Sequence, residues 1–192
     1  MKNKEIRLPV GYAKAKRIIE AALFTSNKPL LIENLNRALE IDNKIVKGII
    51  NELKDEYRRE GRSFQIVEIA QGFQICTLPT YAFWLKKVVK KEREGKLSFA
   101  ALETLSIIAY RQPVTRAEIE IIRGVETGSI LKSFIEKGLI RIAGRKKTLG
   151  KPLIYRTTAL FLQYFGLRSL NDLPKLKQNE TNETKNTAPA DR

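Results

Sequence analysis

The sequence predicts a mainly α fold with small β-hairpins (α+β), laid out as two tandem winged helix-turn-helix domains. Three observations carry that expectation: an internal repeat about 84 residues long, three helical stretches in each copy, and an alternating hairpin pattern after each third helix. Three helices followed by a hairpin is the winged-helix order, and two copies make two domains.

Each copy opens with a helix followed by a proline. Ile18 to Asn27 precedes Lys28-Pro29-Leu30, and Leu102 to Arg111 precedes Gln112-Pro113-Val114. Matching the copies at the prolines sets Ile18, Ala21 and Phe24 against Leu102, Leu105 and Ile108, a helical spacing that predicts one buried face. In the second helix of the second copy, Thr115-Arg116-Ala117-Glu118 is a capping box, in which hydroxyl and carboxylate satisfy orphan backbone donors reciprocally. Ile119 and Ile122 continue its apolar face before Gly124, and Leu31, Leu35 and Leu39 play that part in the first copy.

The third helices are clearer. Asp42 is placed to cap a helix running to about Glu60, with Ile45, Ile49, Leu53 and Tyr57 four apart and Gly61 as its stop. Its counterpart spans about Glu126 to Lys137, packs Ile130, Leu131, Phe134 and Ile135, and stops at Gly138. The first hairpin is expected around Phe64–Ala70 and Phe73–Leu78, flanking Gln71-Gly72. The second is expected to pair Leu139–Ala143 with Leu153–Thr157 across the glycine-bounded loop 144–152.

A helix around Thr80–Lys91, carrying Tyr81, Trp84, Leu85 and Val88, is expected to close the first domain. The charged stretch from Lys86 to Lys96 then connects the two. Thr158 is placed to cap a last short helix, Ala159 to Phe165, ended by Gly166. The domains are therefore set at residues 11–91 and 97–174. The tail, 175–192, is almost without apolar residues from Lys177 onward and is expected to be disordered.

Composition narrows the chemistry. With 43% hydrophobic and 30% charged residues, the chain has the make-up of a soluble globular protein. Its apolar runs are too short to span a bilayer and the N-terminus shows no secretory h-region, so a cytoplasmic location is expected. The Asn-x-Thr triplets at Asn179 and Asn182 then read as chance matches. Histidine is absent and Cys76 is the single cysteine, which removes imidazole bases, Ser-His-Asp and Cys-His nucleophiles, disulfides and thiolate metal sites. No cofactor and no enzymatic activity are expected. Gly144 to Pro152 looks superficially like a phosphate loop, but five residues separate its glycines instead of four. Pro152 also stands where Ser or Thr would bind magnesium.

The net charge of +15 is spread over the folded part: +6 lies in residues 11–91 and +7 in 92–175. A field of that sign attracts polyanions or acidic protein surfaces. In the first copy, Lys44, Lys47, Asn51, Lys54 and Arg58 recur opposite the apolar stripe, a face suited either to phosphates or to bulk water. In the second, the third helix offers Glu126, Thr127, Ser129, Lys132, Ser133 and Glu136, with little to reach base edges. The wing is more basic, and Arg145, Lys146, Lys147 and Lys151 form a loop able to grip phosphates without reading sequence. Tyr110, Tyr155, Phe161, Tyr164, Phe165, Leu167, Leu170 and Leu173 crowd the end of the second copy. Most of them are expected in the core, but a core this small has limited room for all of them. Tyr110, Tyr155, Tyr164, Phe165, Leu167 and Leu170 are accordingly the candidates for a groove that takes a partner helix.

Several motifs in order carry a resemblance. Leu97-Ser98-Phe99-Ala100-Ala101-Leu102-Glu103-Thr104-Leu105, Ile108-Ala109-Tyr110-Arg111-Gln112-Pro113-Val114-Thr115-Arg116-Ala117-Glu118-Ile119 and Ile122-Arg123-Gly124-Val125 come first. Glu136-Lys137-Gly138-Leu139-Ile140, Gly144-Arg145-Lys146 and Gly150-Lys151-Pro152-Leu153-Ile154-Tyr155 follow. Thr157-Thr158, Phe161-Leu162, Tyr164-Phe165-Gly166-Leu167 and Leu170-Asn171-Asp172-Leu173-Pro174 complete the series. Together these resemble the bacterial segregation and condensation protein B family over residues 97–174, the first domain matching in layout more than in motif. The resemblance implies two winged-helix domains and a homodimer formed largely through the first. It also implies a grip on the central part of a kleisin, segregation and condensation protein A, which bridges the ATPase heads of a structural-maintenance-of-chromosomes (SMC) dimer. ATP hydrolysis then belongs to the heads, and this chain acts near the nucleoid in chromosome condensation and segregation. Phe99, Lys147 and Arg156 depart from residues common in that family. The alternative from the fold alone is a winged-helix, DNA-binding transcriptional regulator, which would bind one short duplex ~10³-fold better than random DNA.

Overall fold

The computed structural model describes residues 11–89 and 97–175. The N-terminal ten residues, most of the charged connection and the tail beyond residue 175, on each of which the sequence raised an expectation, lie outside the described residues.

In the first half, α1 (Tyr12–Thr25), α2 (Ile32–Leu39) and α3 (Asn43–Arg59) precede a hairpin of β1 (Phe64–Ile69) and β2 (Gly72–Thr77). Asp42 caps α3 by accepting the Lys44 N–H at 2.7 Å. At the other end Gly61 takes φ +64°, and the Arg62 N–H reaches the Tyr57 carbonyl at 3.0 Å, the glycine stop the sequence predicts. α3 buries Val46, Ile49, Ile50, Leu53 and Tyr57 against Ala15, Ile19 and Leu23 of α1 and Leu35 and Leu39 of α2. The Tyr57 hydroxyl donates to Glu20 at 2.8 Å, joining α3 to α1.

The predicted face of α1 is corrected. Ile18, Ala21 and Phe24 point outward, Phe24 at 78% exposure, while Ala15, Ile19 and Leu23 are buried. The cause lies in the loop. Thr25 ends α1 three residues before Lys28-Pro29, whereas α5 (Phe99–Arg111) ends with Gln112 alone before Pro113. Aligning on the prolines slips the helices by two positions, and two positions turn a helix by roughly 200°. In α5 itself Leu105 and Ile108 are buried as expected, whereas Leu102 is exposed. Leu31, Ile122 and Ile135 are likewise exposed instead of buried.

The first hairpin turns one residue earlier than predicted. Ala70 and Gln71, with φ +48° and +62°, form the two-residue turn, and Gly72 begins β2. Left-handed turns match the twist of the flanking strands. Gly72 is glycine for a different reason: a Cβ there would lie 2.8 Å from the Leu30 carbonyl oxygen. That strap between α1 and α2 bridges to Phe73, with Leu30 and Phe73 exchanging backbone bonds at 2.8 and 2.9 Å.

A 3-10 turn, Pro79–Tyr81, then leads into α4 (Ala82–Val88). This helix does not close a core. Tyr81, Phe83, Trp84 and Val88 are all exposed, Trp84 at 62%.

The second half repeats the order. After α5 come β3 (Val114–Thr115), α6 (Arg116–Arg123), α7 (Gly128–Glu136), β4 (Ile140–Arg145), β5 (Leu153–Thr157) and α8 (Ala159–Phe165). The capping box at Thr115 and Glu118 is present as predicted. α7 starts two residues later than expected because Glu120, reaching over from α6, holds the Thr127 N–H at 2.8 Å. β3 adds a third strand, giving the antiparallel order β3-β5-β4. The core gathers Leu105, Ile108, Ile119, Leu131, Phe134, Ile140, Tyr155 and Phe161. Gln112 ties the end of α5 to β5, its amide exchanging bonds with Thr157 at 2.9 Å in both directions.

The halves meet through the turn of the first hairpin. The Ala70 and Gln71 N–H groups donate to the Leu167 and Arg168 carbonyls at 2.8 and 2.9 Å, and Ala70 is buried within the second core.

Candidate interaction surfaces

The aromatic candidates divide by burial. Tyr155 is only 7% exposed, sitting in the second core opposite Val114 of β3, so it offers no surface to a partner. Leu167 is half-buried, and its carbonyl serves the Ala70 contact. Tyr164 and Phe165 on α8 are exposed, their rings edge-to-face at 5.1 Å, with Phe165 also 4.9 Å from Phe161. Tyr110 and Leu170 come together with Ala109, Gln112, Leu173 and Pro174 around an open groove of about 480 Å³. The Tyr110 hydroxyl donates to the Pro174 carbonyl at 2.6 Å and so pins the chain that walls the groove. Next to it the 3-10 turn Leu170–Asp172 is held by Arg168, whose guanidinium keeps the Asp172 carboxyl down at about 2.

Other exposed apolar residues had no surface role in the sequence. Phe83 and Trp84 stack edge-to-face at 5.3 Å on α4, with the Lys87 ammonium 4.3 Å over the Phe83 ring. Phe24 on α1 and Ile121 on α6 are equally uncovered. Their spacing is that of ordinary core positions, so periodicity alone carries no signal of exposure.

The basic candidates behave differently in the two halves. On α3, Lys54 lies 4.8 Å over the Phe73 ring and Arg58 pairs with Asp55 at 3.3 Å. Lys44 and Lys47 are exposed on a helix that also carries Glu52 and Glu56, and these hold Lys16 with its pKa pushed up to about 12. In the second wing, Lys146 pairs with Glu118 at 2.5 Å. That contact comes first, and the Thr115 donors second, in lowering the Glu118 carboxyl to about 2. Arg145 donates to the Lys151 carbonyl at 3.1 Å, and Lys147 and Lys151 are exposed.

The Cys76 thiol on β2 is pushed up by burial, and the Tyr57 phenol is raised by burial and by Glu20. Among the described residues no three Asp, Glu or Cys side chains gather where they could hold a metal ion. No helix of the described residues is long and apolar enough to cross a membrane.

Comparison with known proteins decides the family. The profile of the family described as "Segregation and condensation complex subunit ScpB" matches residues 17–176. The chain belongs to the ScpB family. Segregation and condensation protein B of Syntrophotalea carbinolica is 48% identical over 163 residues, covering 85% of this chain and 82% of the relative. That of Clostridioides difficile is 42% identical over 164 residues, covering 84% and 92%. Among solved structures, ScpB from Mycobacterium tuberculosis is 30% identical, covering 82% of this chain and 98% of its own, with a TM-score of 0.41. A dimer of the ScpB N-terminal domain complexed with ScpA peptide is 37% identical over 39% of this chain, with a TM-score of 0.37.

Proposed function

We propose that this ScpB-family chain is a non-catalytic accessory subunit of an SMC–kleisin complex. In that role it is a cytoplasmic homodimer that grips the kleisin, segregation and condensation protein A, and acts in chromosome condensation and segregation. Family membership supports the assembly. The observation on the molecule itself is apolar side chains left uncovered on a protein without a histidine. Phe83 and Trp84 on α4, Phe24 on α1 and the groove at Tyr110 and Leu170 need a macromolecular cover more than they need a substrate. Exposed apolar surface of this kind marks protein contacts, and aromatic residues in such patches tend to dominate the binding energy. In this proposal the uncovered residues of the first half form the dimer and the groove of the second takes a kleisin helix.

Co-purification with the kleisin of the same genome, followed by size-exclusion chromatography with light scattering, tests it. A stable complex is expected at micromolar concentration, and its absence removes the proposal. Replacing Tyr110 and Leu170 together with Ala should weaken the complex by about tenfold or more while leaving the chain folded. Undiminished affinity would take the groove out of the interface.

A further inference from the structure

The outer face of the second wing carries a charge arrangement that partner binding does not explain. Register places Arg141 of β4 directly opposite Arg156 of β5. Side chains in such a pair start roughly 4.5–5.5 Å apart at Cβ, and like charges so placed destabilise a sheet. Both arginines are exposed, on the sheet face away from Tyr155 and Val114. From Lys137 to Asn171 the chain contains no carboxylate at all. Among the described residues, the hairpin therefore holds Arg141, Arg145, Lys146, Lys147, Lys151 and Arg156 with a single neutralising partner, Glu118, which reaches Lys146 from α6.

The α3 face of the first half is the useful contrast. There the cations alternate with Asp55, Glu52 and Glu56, and Arg58 is already paired. Two surfaces of similar cation content thus differ in their carboxylates: α3 carries them along its length, and the strands and loop of the wing carry none.

We infer that this wing grips the phosphate backbone of duplex nucleic acid without reading its sequence. The two guanidiniums offer planar forks suited to phosphate oxygens. A six-residue strand extends about 20 Å, a length over which B-DNA presents roughly one charge per 1.7 Å of axis. Lys147 and Lys151 extend the same charge into a projecting loop. Adenine readout has no side chain here. The exposed cation of α7, Lys132, leans toward Glu136 at 3.9 Å, and the wing supplies no Asn or Gln. An acidic protein segment is the competing occupant. Arginine clusters can also take acidic peptides, so competition by an acidic polypeptide is one arm of the test.

The test is fluorescence anisotropy of a labelled 30-base-pair duplex of arbitrary sequence, titrated with the full-length protein at several salt concentrations. If four phosphates are engaged, affinity should fall about 10²-fold between 50 and 200 mM salt, with no preference among unrelated duplexes. Arg141→Ala with Arg156→Ala should flatten the log–log slope by about 2 and weaken binding at least about tenfold at 100 mM. Its melting temperature should be maintained or raised, since a repulsive pair is removed. Should that variant fold poorly, Lys147→Glu in the loop, where no packing is at stake, must show the weakening instead. Lys44→Ala with Lys47→Ala should leave binding within about twofold. No binding at 50 mM salt, or binding indifferent to the wing variants, overturns the inference. So does displacement of the duplex by polyglutamate of equal charge, which would assign the wing to acidic protein. Kleisin binding is scored separately, and the arginine variant is expected to retain it.

Discussion

Two glycines show how differently one residue type can matter. Gly72 faces the Leu30 carbonyl at a distance no Cβ tolerates, with Pro29 also within 3.1 Å. Gly72→Ala must push the strap off the hairpin, and a loss of about 1–3 kcal/mol is expected in urea unfolding. Gly48 lies mid-helix in α3 with nothing within 4 Å of its missing Cβ. Gly48→Ala should therefore stabilise by about 0.5–1 kcal/mol through reduced chain entropy. Equal effects at the two sites would refute the close-approach account. Glu118 makes a prediction in pH. Its folded carboxyl sits at about 2, against an ordinary value near 4.5, so it adds stability above pH 4.5 that drains away as pH falls toward 2. Glu118→Gln should melt below the parent at pH 7 and coincide with it near pH 2. A difference unchanged across that range would mean the Lys146 and Thr115 contacts do not hold in solution. Caps of this sort were legible in sequence because donor and acceptor lie within three residues of each other. The role of Gly72 was not, since its neighbour Leu30 is remote in the chain.

Helices were identified well, and their faces less well. The stripe on α3 is set by residues repeating through four turns, which leaves one solution for its buried side. On α1 the predicted stripe, Ile18-Ala21-Phe24, gave way to Ala15-Ile19-Leu23, because of a two-residue difference in one loop. The contrast is measurable. Ile19→Ala should cost about 2–5 kcal/mol as a core truncation, whereas Phe24→Ala should stay within about 0.5 kcal/mol in denaturant unfolding at dilute protein. Reversed costs would restore the stripe suggested by the repeat. α4 illustrates the same limit: an aromatic face at helical spacing looks identical whether or not anything packs on it. The Arg141–Arg156 pair likewise depends on register, and the β-bulge between Ile142 and Gly144 shifts that register within β4.

At the scale of the molecule, composition and order conveyed the repeated element order and the absence of histidine, but not the contact between the halves. That seam is made by backbone N–H groups of a hairpin turn, and no side-chain pattern announces it. Ala70→Asp tests it, because the left-handed turn tolerates Asp while its carboxylate would enter the second core. The radius of gyration from small-angle scattering should rise, and thermal unfolding should split into two transitions, with helical content retained in circular dichroism. An unchanged scattering profile would show that the seam does not fix the arrangement.

The first hairpin has one further consequence. Phe73 is latched to the Leu30 strap only two residues from Gln71, which is latched to Arg168. So short a span ties the strap at Leu30 to the backbone at Arg168, and a displacement of one would be carried to the other across two residues. A partner seated at one end of this protein would then be felt mechanically at the other.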